Sequence, residues 1–133
     1  MTSSKPTRGA AEPRVRILAG SAIALGPGKA DLLRAIDDTG SISAAARRMR
    51  MSYRRAWLLV RTMNECFQSP LVTAEKGGTD GGGAQLTETG REVLRLYQEV
   101  VDLVAIRFGS HLRPSTSSRR RASSARGRAR RAS

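Results

Sequence analysis

The chain is poor in the residues that a metal centre or a nucleophilic active site requires. It has one histidine, His111, and one cysteine, Cys66, in 133 residues. Metal sites cluster several His, Cys, Asp or Glu ligands, and a Ser-His-Asp or Cys-His centre needs a histidine with an orienting partner. His111 has no acidic or cysteine neighbour at ligand spacing, so no metal or other cofactor is expected, and no enzyme. A lone cysteine cannot form an intrachain disulfide and fits a reducing, cytoplasmic setting. Cys66 stands among Val60, Met63 and Phe67 and is expected to be a buried, inert thiol. Long hydrophobic runs are also lacking. The apolar stretch at residues 15–25 is interrupted by Arg16 and is far too short to span a bilayer, so neither export nor a membrane partner is expected.

Acid is scarce as well. Lys and Arg number 24 against 11 Asp and Glu, for a net charge of +13 and a pI near 11.6. That balance favours a polyanionic partner. Residues 113–133 hold eight arginines and no acid, so the other 112 residues carry only +5. Basicity is therefore concentrated in a tail made mostly of Arg, Ser, Ala and Gly. This tail (113–133) and residues 1–14, which show no periodicity, are expected to be disordered, flanking one domain at 15–112.

Within that domain, residues 15–25 read as a strand weakened at Ala19-Gly20-Ser21 and ended by Gly26-Pro27-Gly28. Leu32, Leu33 and Ile36 form an apolar stripe on a helix over residues 29–39, with Asp31 in its first turn and Gly40 stopping it. Ser43 is expected to cap a second helix that runs to about Met49, and Ser52 a third with Ala56, Val60, Met63 and Phe67 inward. Pro70 breaks the pattern. Leu71-Val72-Thr73-Ala74 and Ala84-Gln85-Leu86 then read as a hairpin around a glycine-rich tip. Thr87 caps a long helix from Glu88 to about Phe108. Its Val93, Leu94, Tyr97, Val100, Val101, Val104 and Phe108 wrap more of the surface than one core face requires, which points to a second subunit. The fold class is mainly α with a small β component: a winged helix-turn-helix with a long C-terminal dimerisation helix.

The stretch from Gly40 to Trp57 carries the functional argument. A short alanine-rich helix, a three-residue turn and a serine-capped, arginine-loaded helix have the proportions of a DNA-reading helix-turn-helix. The first turn of the second helix, with Tyr53, Arg54 and Arg55, is what such a motif places in the major groove. Arginine can bond guanine O6 and N7 bidentately, while the Ser52 and Tyr53 hydroxyls can bond phosphate. Arg47, with Arg48 and Arg50, lies where the supporting helix crosses the backbone, and Arg61 lies one turn beyond Trp57. Each can serve as a phosphate contact or as a solvated charge. Trp57 is expected to pack between the third helix and the wing. The glycine-rich segment is not a nucleotide-binding loop, because Gly83 is followed by Ala84-Gln85-Leu86 rather than by Lys and Ser or Thr.

With this order of elements in view, the chain resembles the N-terminal winged-helix domain of the molybdate-responsive (ModE-type) transcriptional regulators of bacteria. The matching residues are Gly40-Ser41-Ile42-Ser43 with Ala45-Ala46, and Met51-Ser52-Tyr53-Arg54 with Ala56-Trp57. They continue through Met63-Asn64, Pro70-Leu71-Val72, Gly77-Gly78, Gly81-Gly82-Gly83-Ala84, Leu86-Thr87 and Gly90. They cover roughly residues 15–108 in one uninterrupted order. The resemblance implies a sequence-specific transcriptional regulator that binds double-stranded DNA as a homodimer, in the bacterial cytoplasm and on the nucleoid. Full-length family members continue into molybdate-binding domains, whereas an arginine tail follows here, so direct oxyanion sensing is not expected; a rival reading is a module that relies on a separate effector-sensing protein for its signal. Family wings often carry a basic residue among the glycines. This chain has Thr79 and Asp80, which leaves Lys76 as the nearest wing cation. The candidate DNA surface is thus Ser43, Arg47, Ser52, Tyr53, Arg54, Arg55, Arg61 and Lys76. The alternative reading is an architectural, sequence-tolerant DNA-binding protein driven by the Arg-rich tail.

Overall fold

The computed structural model describes residues 12–75 and 83–113. Its elements run β1 (Ile17–Ala19), β2 (Ala22–Leu25), α1 (Pro27–Thr39), α2 (Ile42–Arg48), α3 (Tyr53–Cys66), β3 (Val72–Ala74), β4 (Ala84–Leu86) and α4 (Glu88–Gly109). Residues 14–101 form one compact unit; of the described residues, 12–13 and 102–113 belong to a second. The parts of the expected tails at residues 1–11 and 114–133 lie outside the described residues, as do Lys76, Thr79 and Asp80.

The single strand expected at residues 15–25 is a hairpin. Gly20 takes φ 65°, which the first central position of a two-residue II′ turn demands, and Ala19 pairs with Ala22 across it. The composition that weakened a strand was in fact the turn. The pairing then shifts between Ile17↔Leu25 and Leu18↔Ile23, leaving Ala24 as a bulge. That bulge explains why consecutive Ala24 and Leu25 are both buried, where a regular strand would point them to opposite faces.

Helix α1 begins two residues earlier than expected. Pro27 occupies its first turn, where the missing N–H costs nothing. Asp31 consequently lies in the second turn, not at the positive helix end, and pairs with Arg34 at 2.8 Å. Gly40 ends the helix in the left-handed conformation at φ 76°. The buried Ala30, Leu32, Leu33, Ala35 and Ile36 form the floor of the core. Ala45, Ala46 and Ala56, almost without exposure, allow α2 to sit close to its neighbours, and Val60 and Met63 complete the face of α3. Phe67 is only partly buried at the end of α3, and Cys66 is half-buried rather than buried.

The wing strands β3 and β4 pair antiparallel, Val72 with Leu86 and Ala74 with Ala84. Three contacts anchor this hairpin. Asn64 of α3 accepts from the N–H groups of Leu71 and Val72 at 2.8 and 3.1 Å and donates to the Val72 carbonyl at 3.1 Å. The Ala84 N–H donates to the Gly40 carbonyl at 2.9 Å. Thr87 caps α4 as expected, accepting from the Gly90 N–H at 2.8 Å while its hydroxyl donates to the Pro70 carbonyl at 2.7 Å.

Within residues 14–101, Tyr97 of α4 is buried and its phenol donates to the Val15 carbonyl at 2.6 Å, tying the chain before β1 to the long helix. In the second unit, the last turns of α4 expose Leu103, Ile106 and Phe108 and bury Ala105. No helix among the described residues is long and apolar enough to cross a membrane.

Candidate nucleic-acid interface

The interface is assembled from α2, the turn at residues 49–52 and α3. The cap of α2 is Ser41, not Ser43: its Oγ accepts from the Ala44 N–H at 2.8 Å. Both serines stand before the alanines, but Gly40 ends α1 early enough that Ser41 already has the extended backbone of a cap. Ser43 is instead exposed within the first turn of α2, and its Oγ accepts from Arg47 Nη1 at 3.3 Å. Arg47 and Arg48 fall in the last turn of α2, where cations complement the helix dipole, and Arg48 also pairs with Asp38 at 3.0 Å.

The turn holds a feature that composition gives no sign of. Arg50 adopts φ 59°, the left-handed region otherwise left to Gly20 and Gly40 among the described residues. The Met51 N–H donates to the Ala46 carbonyl at 3.0 Å and the Arg50 N–H to the Arg47 carbonyl at 3.1 Å. These are the two bonds of a Schellman motif, with arginine where glycine is usual. The strain is on the order of 1 kcal/mol, and the residues on either side, Met49 and Met51, are partly buried against the core.

Ser52 caps α3 as expected, its Oγ accepting from the Arg55 N–H at 3.0 Å. The cap uses one lone pair, and the hydroxyl proton remains a donor. Tyr53, Arg54 and Arg55 follow, all exposed. No acid stands in this first turn. Among the described residues, Arg54 and Arg55 have no ion-pair partner, whereas Arg34, Arg48, Arg61, Arg91 and Arg95 all do. Two cations at the positive end of a helix oppose its dipole, an arrangement that folding alone disfavours. Anions find at this turn both charge and helix N–H groups.

Trp57 departs from the packing role expected of it. It retains 41 % of its surface exposed, facing outward with the guanidinium carbon of Arg61 5.4 Å from its ring centroid. Arg61 in turn donates Nε to Glu65 at 3.2 Å. The inward positions of α3 are Ala56, Val60 and Met63, so one residue after Ala56 the side chain has rotated by about 100° out of the core. Sequence reasoning also passed over Leu58, 44 % exposed beside it. Counting which α3 positions were already needed inward was the signal that could have found both.

Residues 29–91 match the model of the bacterial regulatory helix-turn-helix proteins of the lysR family. That match covers just under half of the chain and runs from within α1 through β4. The chain is 48 % identical over 73 residues to the molybdenum-pterin-binding protein MopB of Rhodobacter capsulatus, covering 55 % of this chain and 27 % of that protein. It is 45 % identical over 67 residues to the molybdenum transport protein ModE of Azotobacter vinelandii, covering 50 % and 25 %. With the DNA-binding transcriptional dual regulator ModE of Escherichia coli K12 it shares 39 % over 71 residues, covering 53 % and 27 %. The chain therefore spans about a quarter of the length of the curated relatives it matches. The helix-turn-helix domain is similar to the DNA-binding domain of molybdate-responsive transcriptional regulators. Among its described residues no group of three or more His, Cys, Asp or Glu is placed to hold a metal ion.

Proposed function

We propose that the protein is a sequence-specific transcriptional regulator whose α3 reads the major groove of double-stranded DNA. The supporting observation is the first turn of α3: exposed Tyr53, Arg54 and Arg55 without acids, set against the helix dipole. A phosphate- and guanine-rich partner reverses that electrostatic cost. In this reading Arg54 or Arg55 reads a base, Ser52 and Tyr53 fix register on phosphate, and Ser43, Arg47, Arg61 and Lys76 add backbone contacts. The domain is residues 15–112, with residues 1–14 and 113–133 as its tails. The relatives' names support molybdenum handling as the regulated process.

The protein acts as a homodimer in this reading. Leu96 and Val100 on α4 and Ile17 and Leu18 on β1 are exposed apolar side chains that a second copy would cover. Two recognition helices about 34 Å apart would then read a two-fold-related site.

Selection from random DNA with the full chain at near-physiological salt tests the proposal. Enrichment of a two-fold-related motif is expected, and alanine at Arg54 or Arg55 should relax one base position by about tenfold. If neither substitution changes discrimination, the reading fails. The eight arginines of residues 113–133 favour an architectural second reading. In that case the chain ending at Leu112 would lose most affinity, and the salt slope would flatten by up to about 7 log units per log unit.

A further inference from the structure

We propose that Trp57 is a specificity-determining residue that contacts the 5-methyl group of a thymine in the major groove. The inference rests on the DNA-binding reading of α3 and adds a base contact to it.

Trp57 is the sole tryptophan of the chain, and it leaves 41 % of its surface in solvent although α3 packs a complete inward face without it. Its placement follows from helix geometry. Trp57 is one turn beyond Tyr53, about 6 Å further along the axis and about 40° around it. Arg54 lies on the same side, one turn back from Leu58, which is itself 44 % exposed. The outward face of α3 thus changes character along its length. Its first turn offers hydroxyl and guanidinium donors, and its second offers an indole beside an isobutyl group.

The second turn is poorly suited to phosphate. Leucine has no hydrogen-bonding group, and indole has a single N–H donor and no acceptor. What the major groove exposes to an apolar side chain is the thymine methyl, and apolar contact with it separates T·A from C·G. The groove, about 12 Å wide and about 8.5 Å deep, admits an α-helix, and Trp57 lies only about 6 Å along α3 from Tyr53.

The ring is also held in place. Arg61 lies over it at 5.4 Å from the centroid, and Glu65 holds Arg61 through the Nε bond of 3.2 Å. This three-residue chain, spaced four residues apart along α3, reduces the rotamer freedom that an exposed tryptophan would lose on binding. A preset side chain discriminates better than one that must be ordered at the moment of contact.

The test uses the full chain and its own fluorescence, since Trp57 is the only tryptophan. Binding to the selected operator should shield Trp57 from iodide quenching, whereas protein alone at the same concentration should remain quenched. Each thymine of the operator is then replaced by deoxyuridine, which removes only the methyl. At one position per half-site the wild type should lose about fourfold in affinity, equivalent to about 0.8 kcal/mol for one methyl. Trp57→Ala should bind the thymine and deoxyuridine operators equally, and Trp57→Phe should keep part of the difference. Circular dichroism confirms that both variants are folded. Equal quenching with and without operator overturns the proposal, as does a deoxyuridine penalty that persists in Trp57→Ala. Shielding that rises with protein concentration in the absence of DNA also overturns it, because Trp57 would then face a second copy. Absence of any DNA binding by wild type sinks the DNA-reading assignment together with this one.

Discussion

Alanine at position 90 is expected to destabilise the domain, although alanine is the better helix former. In an unencumbered helix interior, glycine to alanine gains up to about 1 kcal/mol. Here an added Cβ would lie 2.1 Å from the carbonyl oxygen of Leu71, 3.0 Å from its carbonyl carbon and 3.2 Å from its Cα. All three are backbone atoms of a fully buried residue, so no side chain can rotate out of the way. The same carbonyl accepts from the Thr87 N–H at 2.9 Å, and the Gly90 N–H donates to the Thr87 cap at 2.8 Å. Restoring an ordinary contact moves α4 or Leu71 by about 1 Å and loosens both bonds. Overpacking of this kind costs roughly 1–3 kcal/mol, and each weakened bond adds about 1 kcal/mol. Set against the propensity gain, the net loss is about 2–4 kcal/mol. For a domain of this size that lowers Tm by about 10 °C or more. Thermal unfolding followed by circular dichroism measures it, with Gly28→Ala as the control. Gly28 lies in α1 with nothing within 4 Å of an added Cβ, so its Tm should hold or rise slightly. If Gly90→Ala unfolds at the same temperature as Gly28→Ala, the close approach of α4 to Leu71 is refuted.

Three further outcomes are expected. Asn64→Ala removes three side-chain bonds to Leu71 and Val72 and leaves buried backbone groups unsatisfied. It should cost about 2–4 kcal/mol in urea unfolding; a change within 0.5 kcal/mol, roughly the noise of a neutral surface substitution, would contradict the clip. Arg50→Gly should raise stability by about 1 kcal/mol, because Arg50 holds φ 59° against its Cβ. Its DNA affinity should stay within about twofold if Arg50 is only a hinge, and should fall further if the guanidinium meets phosphate. Burial pushes the Tyr97 phenol above its ordinary value of 10.0. The folded state therefore keeps a proton that the unfolded chain releases. The contribution is complete below about pH 10 and is lost as pH climbs through the folded value. Wild-type stability should fall on that climb by an amount that Tyr97→Phe does not show, and identical pH profiles for the two would refute it.

Much of this protein was legible from residue order alone, and the reason is locality. Ser52, Thr87 and Gly40 act on backbone groups within four residues, so capping and termination could be read from short strings. The apolar periods of α1 and α3 marked the core because a 3.6-residue repeat has one inward face wherever the helix lies. The basic first turn of α3 was visible for the same reason. Errors arose where the residues admit a second local arrangement. Ser43 reads as the cap although Ser41, two residues earlier, fills that place, and residues 15–25 read as one weak strand although their weak centre is a turn.

Tertiary structure decided the rest. Whether Trp57 is core or surface depends on whether Ala56, Val60 and Met63 already fill the space facing α1 and α2, which is a property of packing. Arg50 takes a left-handed conformation where α2 ends and the chain turns toward α3, against the preference of its own side chain. Gly90 and Asn64 matter only because α4 and α3 meet the chain at Leu71, which is 19 residues from one and 7 from the other. A sequence determines by itself what each segment can do with its near neighbours. Which faces are left for DNA follows only after the helices have met, because burial is shared among segments that the chain order does not place together.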